Sequence, residues 1–118
     1  MFADAQSVAR TVAAEEGTPV EWTGVMEIEP VSFDTRLLEL AEECVRAASG
    51  ACLRLDSGAL HDAAMVARAG TPAVMLFVQS VGGISHSRIE DSHPEHIAQG
   101  VAAFDLLAHR LSAGWPDA

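Results

Sequence analysis

The 118-residue sequence contains no lysine, so its positive charge comes from seven arginines, set against seventeen carboxylates for a formal net charge of -10. Such a surface repels a phosphate backbone, which excludes nucleic acid as a natural partner. Long apolar runs are also missing. The longest, residues 73–78, is far short of the roughly 20 residues that cross a bilayer. The N-terminus lacks a basic stretch followed by a hydrophobic one, so neither a membrane partner nor a secretory route is expected, and the location is read as cytoplasmic. Cysteine is scarce. Only Cys44 and Cys52 could pair, and neither lies in a zinc or redox spacing, which favours two half-buried thiols over a disulfide.

What is present is 49% apolar and 20% charged, the composition of one globular domain or of part of a larger one. Ten of the carboxylates and three of the arginines lie in residues 1–50, so the two halves face different surroundings. Residues 3–16 place Ala5, Val8, Ala9, Val12 and Ala13 at helical spacing, stopped by Gly17 and Pro19. Residues 20–28 mix Val20, Trp22, Val25 or Met26 and Ile28 with polar positions as a strand does, with a bulge expected near Gly24. Asp34 can cap a helix whose stripe is Leu37, Leu38, Ala41, Val45 and Ala48, ended by Gly50.

Residues 51–55 then read as a short strand, residues 61–68 as a short helix, and residues 72–78 as an apolar strand buried on both faces. Gly82-Gly83 breaks that strand. A last helix begins at Ser92 or His93 with Pro94 in its first turn, and buries Ile97, Val101, Phe104, Leu107 or Ala108 and Leu111. The alternation predicts an α/β fold: a partial three-layer sheet with covering helices. Two strands are too few to complete such a sheet. A piece of a larger two-domain chain, or a subunit completed by a partner, would supply the rest.

Two of the five histidines lie where loops leave predicted strands, the usual ligand-binding edge of open α/β sheets. His61 opens a helix beside Asp62. His86 follows Gly82-Gly83-Ile84-Ser85, a turn that lets backbone come close to a bound group. From the residues alone His86 is either a ligand or catalytic group or a hydrogen-bonded loop histidine, and His61 is either functional or part of a capping arrangement. His93, His96 and His109 read as solvated surface. Gly82-Gly83 lacks the lysine and helix of a phosphate loop. Ser57, Ser85 and Ser87 lack the setting of a serine nucleophile.

The segment Ser57-Gly58-Ala59-Leu60-His61-Asp62-Ala63 resembles the SGAGHDA loop of the N-carbamoyl-L-amino acid hydrolases, and Gly82-Gly83-Ile84-Ser85-His86-Ser87 with Glu90 resembles their GGISHSPxE segment. Allantoate amidohydrolases and β-ureidopropionases are close relatives within the aminoacylase and carboxypeptidase-like metallohydrolases. The connector at residues 28–34, the apolar strand and the final helix also fall where that family has them, so the resemblance covers essentially the whole chain.

The resemblance implies hydrolysis of linear amide C–N bonds in N-carbamoyl amino acids or ureido acids, with two divalent metal ions, zinc or manganese. It implies that residues 1–29 end a lid and dimerisation domain and that residues 30–118 form the C-terminal part of a catalytic domain. His86 inherits the role of metal ligand, and Gly58, Leu60 and His61 inherit substrate contact. Leu60 departs from the pattern by replacing a glycine, and Arg88 replaces a proline.

The family's other metal ligands, its general-base glutamate and its carboxylate-binding arginine and asparagine fall upstream of this stretch. No catalytic residue is therefore assigned here, and the isolated chain is expected to be inactive and to hold no metal. Homo-oligomerisation or a completing chain is expected. The rival reading is a naturally short subunit of a split enzyme, or a binding module that kept part of the fold. His86 is expected on a solvent-accessible loop facing the same side as His61.

Overall fold

A computed structural model describes residues 2–25 and 28–115. Contacts divide the chain into two compact units, residues 1–30 and 31–118. Helix α1 (Phe2–Glu15) is the only regular element described in the first unit. Its apolar stripe is mostly uncovered: Ala13 is buried, but Val8 and Val12 are exposed. The strand expected at residues 20–28 is not present among the described residues. Met26, one of the positions offered for its apolar face, lies outside them.

The second unit holds α2 (Thr35–Ser49), α3 (Asp62–Arg68) and α4 (Pro94–Ala113). Helix α2 starts where its cap residue can satisfy an orphan donor: an Asp34 carboxylate oxygen accepts from the Leu37 N–H at 3.0 Å. It stops at Gly50, whose φ of 81° is in the left-handed region and whose N–H donates to the Arg46 carbonyl. Between these ends Leu37, Leu40, Ala41 and Cys44 are buried against Leu107 of α4, at i, i+3, i+4 and i+7 spacing. Arg110 of α4 reaches Glu43 of α2 at 2.6 Å across the rim of this contact. Cys44 and Cys52 are free thiols.

The expected α/β sheet is overturned: no strand occurs among the described residues. The reason is that a strand exists only through hydrogen bonds to a neighbour, and residues 51–55 and 73–78 make no backbone-to-backbone hydrogen bond among the described residues. Apolar content in 73–78 records an environment and does not specify a pairing partner. The segment still packs. Val74 and Leu76, two residues apart, lie against the α2–α4 cluster, whereas Phe77 and Val78 are exposed, so burial on both faces is also corrected.

Helix α4 buries Leu107 and packs Leu111 against the core as expected, but its N-terminal half is rotated from the expected register. Ala103 and Leu107 are its buried residues, while Ile97, Val101 and Phe104 are exposed. Gly100 accounts for this. A Cβ there would lie 2.7 Å from a Val78 methyl, so the helix turns its smallest residues toward the segment. Among the described residues no helix is long and apolar enough to cross a membrane.

Candidate functional site

The residues singled out in the sequence lie on two loops of the second unit. The first, residues 56–61, leads into α3. Ser57 donates its hydroxyl proton to the Ala59 carbonyl at 3.1 Å, tightening the turn. Gly58 is exposed and a Cβ there would meet no atom within 4 Å. Leu60 is exposed and its φ is not positive, so the leucine occupies a backbone conformation open to any residue.

His61 sits at the N-terminal boundary of α3 with extended backbone (φ -127°, ψ 152°) and makes no side-chain cap bond. The capping alternative for its imidazole is therefore set aside. Its ring meets Phe77 edge-on, with centroids 6.3 Å apart. His61 is the polar group of a shallow depression of about 430 Å³ otherwise lined by Val74, Met75, Leu76, Phe77, Phe104 and Leu107.

The second loop spans residues 81–91 and is closed at its base, where the Val81 N–H donates to the Asp91 carbonyl at 2.7 Å. It opens with a 3-10 turn (Val81–Gly83) in which Gly82 and Gly83 have φ of 65° and 69°. Two consecutive left-handed residues require glycine, which reverses the chain within one turn. His86 follows three residues later and is exposed. Its own φ is 54°, the only positive value among described non-glycine residues. Its backbone N–H donates to a Glu90 carboxylate oxygen at 2.9 Å, and the Glu90 N–H donates back to the Ser87 carbonyl at 3.1 Å.

The structure places His86 in an accessible loop, as expected, but that loop does not leave a strand. His86 is not among the residues lining the depression that contains His61, so the two histidines do not share one pocket. Among the described residues no group of three His, Cys, Asp or Glu side chains could hold a metal ion. His96, expected on the solvated surface, is half-buried with its Nδ1 enclosed and unpartnered, edge-on to His93. The contribution of Glu90 to the loop was not read from the sequence. An acid four residues beyond a histidine in a glycine-rich turn is the signal that could have found it.

Comparison with known proteins bears on this pair of loops. The model of Peptidase family M20/M25/M40 matches residues 4–110. The chain belongs to this family. Among M20 relatives, an allantoate amidohydrolase of Bacillus subtilis (strain 168) is 42% identical over 87 residues, covering 74% of this chain and 21% of the relative. An N-carbamoyl-L-amino-acid amidohydrolase of Rhizobium meliloti is 31% identical over 111 residues, covering 94% of this chain and 26% of the relative. One from Geobacillus stearothermophilus is 30% identical over 106 residues, covering 90% and 26%. The chain thus spans about a quarter or less of the length of these M20 relatives. No solved structure matches it significantly.

Proposed function

We propose that this chain is the C-terminal segment of a metal-dependent amidohydrolase that cleaves linear amide C–N bonds in N-carbamoyl amino acids or ureido acids. The identity to the Bacillus subtilis allantoate amidohydrolase, 42% over 87 residues, is the observation that carries the reading. Residues 1–29 are assigned to the end of a lid and dimerisation domain and residues 30–118 to the catalytic domain; the boundary between compact units at Pro30 and Val31 supports that division. His86 is assigned as one ligand of a centre of two divalent ions, zinc or manganese. Its accessible imidazole, on a loop with a closed base, supports this assignment.

The donor set of this chain does not by itself fit such a centre, because no three candidate ligands gather among its described residues. One histidine cannot hold two ions and activate water between them, so no step is routed through metal here. What the chain's own residues contribute is binding. Gly58 leaves room above the backbone, and together with Leu60 and His61 it is assigned to substrate contact. The Leu60 side chain, where relatives of the resembled pattern carry glycine, narrows that contact.

The test is a chimera in which this chain replaces the matching stretch of the Bacillus subtilis relative. It should hydrolyse allantoate or an N-carbamoyl amino acid in the presence of manganese or zinc, and His86→Ala should reduce the rate by at least about 100-fold. The 118-residue chain alone should release no ammonia above its own His86→Ala variant. A chimera indifferent to His86, or an active isolated chain, would overturn the proposal.

A further inference from the structure

We propose that Glu90 is a positioning residue: by accepting the His86 backbone N–H, its carboxylate holds His86 in the left-handed conformation that presents the imidazole from the closed loop. A non-glycine residue is disfavoured there by about five- to thirtyfold relative to ordinary backbone. Nothing else in the loop compensates at that residue. The Val81–Asp91 bond closes the base, the Ser87–Glu90 bond closes the outer turn, and among the described residues only the 2.9 Å bond to Glu90 engages His86 itself.

The bond is charge-assisted, which strengthens it, and solvent weakens it in turn because the site is exposed. Glu90 is also drawn back by its own N–H bond to Ser87. Carboxylate and histidine are thus locked in one five-residue reversal. Its consequence for a metal centre rests on the assignment of His86 above, whereas the left-handed backbone at His86 does not.

The experiment is NMR on the whole 118-residue chain. At positive φ the amide proton and Hα of His86 lie close and give a strong intraresidue NOE, and the amide resonance is displaced downfield by the carboxylate. Glu90→Ala should weaken that NOE, remove the downfield displacement and lower exchange protection of the Val81 amide about three- to tenfold. Glu90→Gln, which keeps an acceptor oxygen, should restore the NOE. In a His86→Gly background glycine enters the left-handed region unaided, so Glu90→Ala should there leave Val81 protection unchanged.

An unchanged His86 NOE in Glu90→Ala would overturn the proposal. So would an equal loss of Val81 protection in both backgrounds, or a global loss of helix signals, since each describes a general structural role. These readouts involve neither metal nor substrate. A chimera indifferent to His86 alongside a positive NMR result would sink the ligand assignment alone.

Discussion

Replacing Gly100 with alanine sets two effects of known sign against each other. In a helix interior alanine is favoured over glycine by about 1 kcal/mol, because glycine loses more backbone freedom on folding. The added Cβ, however, would lie 2.7 Å from a Val78 methyl carbon, closer than carbon atoms approach. Valine cannot swing that methyl aside freely, because its branched Cβ restricts χ1. Overpacking of this kind costs about 1–3 kcal/mol. Val78 is 42% exposed, so its segment has room to withdraw, and the cost should fall in the lower half of that range.

The expected net effect of Gly100→Ala is a destabilisation of about 0–1 kcal/mol. Truncating the opposing side chain should reverse the sign: in Val78→Ala, the same Gly100→Ala change should stabilise by about 0.5–1 kcal/mol. Urea titrations of the four proteins, read as midpoint shifts at constant slope, give the coupling directly. If Gly100→Ala stabilises both backgrounds equally, the segment at 73–78 does not lie on α4 as described. The account of the rotated helix would then fail with it.

The Asp34 carboxyl is held below the ordinary carboxylate range, first by the Leu37 N–H and second by the Arg36 guanidinium at 3.3 Å. Because the folded value is the lower one, its contribution is complete above the unfolded value near about pH 4. It is lost as pH falls through the folded value. Asp34→Asn, a cap that does not titrate, should lack this part of the acid-induced loss of helicity; identical acid limbs by circular dichroism would refute the assignment. Sedimentation should show concentration-dependent association, since residues 73–78 have no ladder partner among the described residues and Phe77, Val101 and Phe104 are exposed. A compact monomer at high concentration would contradict it.

Features decided by a few neighbouring residues were legible in the sequence, and features decided by distant ones were not. Asp34 and Gly50 bound α2 through bonds that span at most four residues, and Pro94 opens α4 for an equally local reason. The α2 stripe was found on the correct side but incompletely: Leu40 and Cys44 are buried, while Leu38 and Val45 are only half-buried. For α4 the expected stripe holds at Leu107 and Leu111 and fails toward the N-terminal half. Hydrophobicity alone selects Ile97, Val101 and Phe104, but the face that docks is chosen by how closely backbone can approach, which favours Gly100 and Ala103. The sheet failed for the same reason carried further, since no residue in 73–78 encodes which strand should lie beside it.

The candidate site divides along the same line. The two loop motifs are short and contiguous, and they carry the family resemblance in the sequence itself. Their conformations follow from residues within the motif: the double glycine makes the reversal, and Glu90 reaches a backbone donor only four positions away. What the motifs cannot specify is the distance between the loops, because that is set by the layer beneath them. In a complete sheet, adjacent strands fix the loops that leave them at neighbouring positions. In this chain the layer consists of α2, α4 and an unladdered segment, and His61 lies over Phe77 while His86 projects from a separate closed loop. The packing of that segment on α2 and α4 therefore sets how far apart the two loops lie.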